Sequence, residues 1–310
     1  MNKFEITQSL LREKSELNAR LKLIPYDGTP EVKELSKGKY LYIRKRVLDK
    51  VTSTYVGPYS DELYNVLLKN AKETKEIRKR IRQIDKELNK IGYLENDLDQ
   101  KTMINIDLAR RNMKIVIYDQ AVLEGVATTY PDTETIIDNG KVNNMSAVDV
   151  QKILNLKHAW EFILDKDVIT APSNYYLSSY IAKIVNEGFF QDGGKIRGVP
   201  VRIGGSTYIP PLPIETDVKE KIDDIINRSD DLYDNAIELL LFVMKTQIYN
   251  DGNKRTAVIF ANHYLISKGL GLIVIPAELV GEFQKLLVSY YESDNPLIKS
   301  FLRDKCLTKI

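Results

Sequence analysis

Apolar positions fall into helical and strand-like regimes along this chain. From 4 to 23 they recur at helical spacing, with Leu10, Leu11, Leu17, Leu21 and Leu23 near one face, and Pro25-Tyr-Asp-Gly-Thr-Pro30 stops that helix. Residues 39–47 and 51–56 are rich in β-branched and aromatic types and read as a hairpin turning at 48–50 and closed by Gly57-Pro58. Helical period returns over 61–91, with Leu63, Val66, Leu67, Ile77, Ile81, Ile84 and Leu88 as a seam for the first helix and Gly92 past its end. After a polar link at 92–102 the pattern is almost wholly helical: about 103–124, 146–165, 173–188, 216–228, 232–248, 253–268 and 277–291, with a tail helix near 296–305. Between them, Ile196, Val199, Val201 and Ile203, flanked by Gly and Pro, read as a second short hairpin. The expected fold is mainly α, with a helix–hairpin–helix module over 1–95 and a helical body over 96–310.

Composition narrows the setting. At 310 residues, 43% hydrophobic and 28% charged, the chain can bury a full core. No apolar run has the length of a membrane span, and the N-terminus shows no signal-peptide core, so no membrane partner is expected. A single cysteine, Cys306, precludes an internal disulfide and fits a cytoplasmic protein; two histidines leave little for a His-based metal site. The net charge of +2 is split: residues 1–93 hold 21 Lys and Arg against 13 Asp and Glu, 21 − 13 = +8, which leaves 2 − 8 = −6 for the rest. Two modules with different partners are implied.

The stretch with most chemistry is Gln247-Ile-Tyr-Asn-Asp-Gly-Asn-Lys-Arg-Thr-Ala257, between two helical patterns. Asn253 can cap the second helix, whose first N–H groups, from Gly252 to Arg255, then form an anion site. Lys254 and Arg255 sit where the helix dipole disfavours cations, a placement that makes sense if a polyanion binds. Asp251 can hold Mg²⁺, which takes one or two carboxylates together with phosphate oxygens.

These residues resemble the loop of the Fic (Fido) family, His-x-Phe-x-Asp/Glu-Gly-Asn-Gly-Arg-x-x-Arg. Asp251, Gly252, Asn253 and Arg255 match and Tyr249 is a conservative change, whereas Gln247 replaces the His, Lys254 the second Gly and Val258 the final Arg. Asn253-Lys-Arg-Thr-Ala257 is closer to the death-on-curing (Doc) branch. Two further segments follow the family's order. Glu124-Gly125, within Gln120 to Thr129, is similar to the inhibitory helix of self-restrained members, near 114–126 here, with Gln120 in place of the usual Ser or Thr. Residues 193–211 look like the flap that docks the target by strand addition, through Ile196, Val199, Val201 and Ile203. The resemblance implies a Fic helical fold that uses Mg-ATP, most often to transfer AMP to a protein hydroxyl. In that reading Gly252, Asn253, Lys254 and Arg255 hold the nucleotide, Asp251 the metal, Gln247 orients the acceptor, and Glu124 restrains the site. With Val258 at the final Arg position, Glu124 needs Arg255 or Lys254 as its partner. A Doc-like phosphate transfer and an idle nucleotide-binding protein are the alternatives.

Several residues carry competing readings. A neutral amide at Gln247 cannot take a proton, and loss of a general base costs about 10²–10⁴-fold in rate; it can still orient a hydroxyl or phosphate. His263 and His158 have no chemistry-bearing neighbour in sequence and read as structural. The basic hairpin (Arg44, Lys45, Arg46, Lys50 with Tyr40, Tyr42 and Tyr55), together with Arg78, Lys79, Arg80 and Arg82 on the long helix, can contact nucleic acid or a partner chain. The plainer reading is a solvated face with its tyrosines packed on the two helices.

Overall fold

The computed structural model describes residues 3–36, 38–47, 50–93, 98–139, 145–228 and 231–309. It divides into two compact units, residues 1–95 and 96–310. The proposed turn at 48–50 lies largely outside the described residues, as does 94–97 of the linker.

In the smaller unit, α1 (Lys3–Leu23) is followed by a three-stranded antiparallel sheet, β1 (Thr29–Leu35), β2 (Gly38–Val47) and β3 (Lys50–Pro58), and then by α2 (Asp61–Lys90). The two-stranded hairpin expected from sequence is therefore one strand short. Strand β1, with Pro30, Glu31 and Glu34, has weak β character of its own and is set by pairing along β2 from Thr29↔Arg44 to Leu35↔Gly38. Ser60 caps α2, its hydroxyl accepting from Leu63 N at 3.2 Å. The α2 seam also splits. Ile84 and Leu88 meet Leu10 and Leu11 of α1, whereas Leu63 and Leu67 pack under the sheet on Leu41 and Ile43. Val66, expected in the seam, is 51% exposed. At the register shift between Leu41 and Tyr42, Val56 is the extra residue on β3 and turns inward to this cluster.

The larger unit is helical: α3 (Gln100–Leu123), α4 (Tyr130–Asn139), α5 (Ala147–Ile163), α6 (Lys166–Ile169), α7 (Tyr175–Val185), α8 (Glu215–Arg228), α9 (Leu232–Thr246) and α10 (Asn253–Ser267). Strand β4 (Leu272–Ile273), α11 (Val280–Ser293), α12 (Leu297–Lys305) and β5 (Leu307–Thr308) complete it, with β4 and β5 paired. Helix α10 is the centre, packed by α9, α7, α3 and α5. Apart from Lys254, every residue of α10 from Asn253 to Ile266 is buried, so this helix has no polar face, and its first turn is held rigidly inside the body. Full burial of each such aliphatic side chain contributes about 1.5–3 kcal/mol. His263 is part of this packing: Ser173 Oγ lies 2.9 Å from Nδ1 and Val168 O 2.9 Å from Nε2. Burial holds its imidazole down to about 4, so it is neutral, as the structural reading requires. His158 is buried on α5, with Nδ1 3.4 Å from Glu187 Oε2. No helix of the described residues is long and apolar enough to cross a membrane.

Candidate active site

The loop between α9 and α10 takes its shape from two left-handed residues. Gln247 ends α9 at φ 52°, ψ 58°, and Gly252 begins α10 at φ 70°. A Cβ on Gly252 would meet Asn186 Oδ1 at 2.9 Å and Val185 Cγ2 at 3.1 Å, so both conformation and space call for glycine. The expected cap differs. Gly252, not Asn253, is the N-cap, and no side chain caps α10. Asn253 pins the loop instead: Oδ1 accepts from Tyr249 N at 2.9 Å, and Nδ2 donates to Tyr249 O at 2.8 Å and to Gln247 Oε1 at 3.3 Å. Gln247 Nε2 donates to Met244 O at 2.6 Å, so both ends of this amide bind its own loop. Tyr249 is fully buried, its hydroxyl 2.8 Å from Ser178 Oγ; burial raises its pKa far above the usual phenol range.

Arg255 is 1% exposed. Its Nη1 donates to Val185 O at 2.8 Å and its Nη2 to Asp251 Oδ2 at 2.9 Å. Its backbone oxygen accepts from Gln120 Nε2 at 2.8 Å, while Gln120 Oε1 accepts from Trp160 Nε1 at 3.0 Å. The amide at position 120 thus ties α3 to α5 and α10, a reach that a Ser or Thr hydroxyl would not have. Helix α3 ends at Glu124, with Gly125 at φ 80° and Val126 N bonded back to Ala121 O. That ending aims the Glu124 carboxylate at the loop: Oε1 lies 3.4 Å from Arg255 Nε and Oε2 lies 3.9 Å from Lys254 Nζ. Lys254 Nζ also donates to Leu123 O, at the carbonyl end of α3, at 3.1 Å. These are ion-pair distances without a hydrogen bond: Glu124 Oε2 and Arg255 Nε are both buried with no hydrogen-bond partner.

The stretch 193–211 is not the hairpin its alternation predicts. Among the described residues, its only β feature is an isolated bridge from Ile196 to Tyr249. What orders it is Arg197, a residue the sequence reading passed over. Its buried guanidinium donates to Gln247 O at 2.7 Å, Val199 O at 2.8 Å and Pro211 O at 2.7 Å, with longer contacts to Pro210 O and Thr246 O at 3.4 Å. Five carbonyls, two of them at the end of α9, replace the strand ladder. Burial lowers the Arg197 pKa, yet the side chain stays a cation at the negative end of that helix. The spacing of three between Ile196 and Val199, against two thereafter, is the sequence signal that a regular strand does not form.

Beside the loop opens a cleft of about 910 Å³ lined by Gln247, Lys254, Arg202, Ile203, the Gly204-Gly205 turn, and a face of α11 including Gln284, Lys285 and Tyr291. Three cations and no carboxylate line it among the described residues. The wall takes in Ile203 of the expected docking residues but not Val199, which is 58% exposed, or Val201. Asp251, Gly252, Asn253 and Arg255 lie off this wall. Arg202, Gln284, Lys285 and Tyr291 were not found from sequence, because nothing local marks them. Burial and the nearby Glu124 charge both raise the Tyr291 phenol. For a divalent cation the donor set is small: no group of three or more His, Cys, Asp or Glu comes together among the described residues. The Asp251 side chain is 46% exposed and only Oδ2 is taken by Arg255, which suits Mg²⁺ shared with phosphate oxygens.

A central buried helix entered through an uncapped, glycine-led turn, with a carboxylate delivered from a preceding helix, defines a helical domain built around this loop. Residues 176–265 match the model of the Fic/DOC family, and residues 5–65 match a domain of unknown function, DUF6788. Residues 176–265 carry a Fic/DOC family domain. Fic-1 (residues 134–508) from C. elegans is similar in structure, with a TM-score of 0.52, 17% identity, and 78% of this chain and 79% of that one covered. A Fic domain containing signaling protein from Bacteroides thetaiotaomicron gives 0.51 at 17% identity, covering 68% and 82%. A Fic family protein from Desulfovibrio desulfuricans gives 0.50 at 14% identity, covering 68% and 74%. At these identities the likeness is one of fold. No curated protein matches the chain.

Proposed function

We propose that this protein binds Mg-ATP in the cleft and transfers AMP to a hydroxyl of a target protein, slowly and under restraint by Glu124. Members of the Fic fold typically transfer AMP or similar groups. The observation that carries the reading is the cationic wall: Lys254, at the uncapped start of α10, faces the same cleft as Arg202 and Lys285, and no carboxylate among the described residues lies on that wall. Such a surface is costly to maintain unless an anion occupies it. Asp251 would hold Mg²⁺, which when bound neutralises phosphate charge during transfer. The acceptor oxygen bonds to the α-phosphorus as the bond to the β-phosphate bridging oxygen breaks; pyrophosphate leaves with that electron pair and the hydroxyl proton passes to water. Gln247 cannot accept that proton, so rate depends on positioning and on charge stabilisation by Lys254, which lines the cleft. The compartment we assign is the cytoplasm, where ATP is abundant.

A specific observation favours a second reading, a nucleotide-binding protein without catalysis: the Gln247 amide is engaged at both ends by Met244 O and Asn253. The test is incubation of the Glu124→Gly protein and a host lysate with Mg-ATP labelled at the α or the γ phosphate. Protein-bound α label is expected. Label from the γ phosphate alone would replace AMP transfer by phosphate transfer. If neither label transfers, but Gln247→His in the same background does transfer AMP, the native chain is an idle binder.

A further inference from the structure

The smaller unit carries a surface that the transfer chemistry does not use. Its sheet presents one face to α2 through Leu41 and Ile43, and the two-residue alternation puts Tyr40, Tyr42, Arg44 and Arg46 of β2 on the other. Pairing brings Tyr55 of β3 opposite Tyr42, and Lys33 of β1 opposite Tyr40. The Tyr42 and Tyr55 rings meet edge to face at 5.5 Å, Tyr40 and Tyr55 at 6.1 Å, and Lys33 Nζ sits 4.4 Å over the Tyr42 ring. The tyrosines therefore do not pack on the helices, as the plainer sequence reading had it. Tyr55 is 50% exposed, and Arg44 and Arg46 are exposed beside it. The one carboxylate this register places among them, Glu31, is engaged by Ser53 Oγ at 3.2 Å and lies 3.7 Å from Lys33.

On α2, two basic side chains are paired with carboxylates. Arg78 pairs with Asp27 at 2.7 Å, and Arg80 with Glu13 at 2.6 Å and Glu87 at 3.2 Å. Half of the stripe expected along α2 is thus engaged by carboxylates, and Arg44 and Arg46 add exposed positive charge beside the tyrosines.

We propose that this face binds single-stranded nucleic acid, with bases stacked on Tyr55, Tyr42 and Tyr40 and phosphates along Lys33, Arg44 and Arg46. Exposed aromatic rings on an open sheet, bordered by cations, suit unpaired bases; in a duplex the base faces are covered. The proposal rests on the smaller unit alone and is independent of the transfer chemistry.

The test is fluorescence anisotropy of labelled oligothymidylate and oligouridylate titrated with the full chain. Binding of either strand, weakening with salt, is expected; which one binds more tightly distinguishes DNA from RNA. Tyr55→Ala should weaken binding about tenfold, and Tyr55→Phe should retain it, because the ring and not the hydroxyl stacks. Arg44→Ala with Arg46→Ala should lower the slope of log affinity against log salt by about 0.7 per contact removed. All three positions are exposed, and circular dichroism checks that the variants fold. Absence of binding by both strands, equal binding of a duplex, or affinity and salt slope unchanged in Tyr55→Ala and in the double arginine variant overturns the proposal. In that event the face belongs to a protein partner or to none.

Discussion

Arg197 holds five carbonyls and no carboxylate, so its removal strands several buried acceptors at once, including two at the end of α9. Arg197→Ala is expected to lower stability by about 2–4 kcal/mol, and Arg197→Lys to recover less than half of that, since a point-like ammonium cannot span the same acceptors. Denaturant unfolding of the full chain measures both. Two other buried groups set the pH response. Burial holds His263 down to about 4 and pushes the Asp119 carboxyl up to about 6. As pH falls below 6.5, the unfolded chain takes up a proton that folded His263 refuses, so this group withdraws about 3 kcal/mol by pH 4. Asp119 works the other way: its folded carboxyl protonates first, so stability is gained as pH falls from about 6 toward 3.8. Relative to the native chain, His263→Asn should gain stability on acidification over this range and Asp119→Asn should lose it. Parallel curves for all three would contradict both assignments.

The ends of α3 and α10 place the site, and each depends on a left-handed glycine. At Gly125 nothing lies within 4 Å of an added Cβ, so Gly125→Ala should cost only the conformational strain, about 1 kcal/mol. At Gly252 an added Cβ also meets Asn186, Val185 and Arg255, and Gly252→Ala should cost at least twice as much. Thermal unfolding compares them directly; equal losses would show that the loop can give way. Helices α7 to α9, α11 and α12 were legible because their apolar faces meet a core, and α3, α5 and α10 because long helix-compatible runs between turn signals bury most of their residues. Others were not. Strand β1 is made by its neighbour rather than by propensity, and α4 was missed although Thr129 Oγ1 accepts from Asp132 N at its start, a cap that the sequence does display. The flap alternation misled because Arg197, a single polar residue, supplies the order that a ladder would have given.

At the scale of the molecule, the loop motif named the fold, since Asp251, Gly252, Asn253 and Arg255 occupy one short stretch. The cleft was not legible, because Arg202, Lys285 and Tyr291 come from distant segments and converge only on folding. Glu124 connects the two kinds of knowledge. Sequence suggested its role, and the structure sets it 3.4 Å from Arg255 and 3.9 Å from Lys254 in an ion pair without a hydrogen bond. An anion competing for those cations displaces a loosely held carboxylate, so the restraint should be modest rather than absolute. Calorimetric titration of Mg-ATP into the native protein and into Glu124→Gly measures this most directly. Measurable binding to both is expected, about tenfold tighter without the carboxylate, a difference of about 1.4 kcal/mol. No heat of binding in either protein, or the same affinity in both, would contradict it.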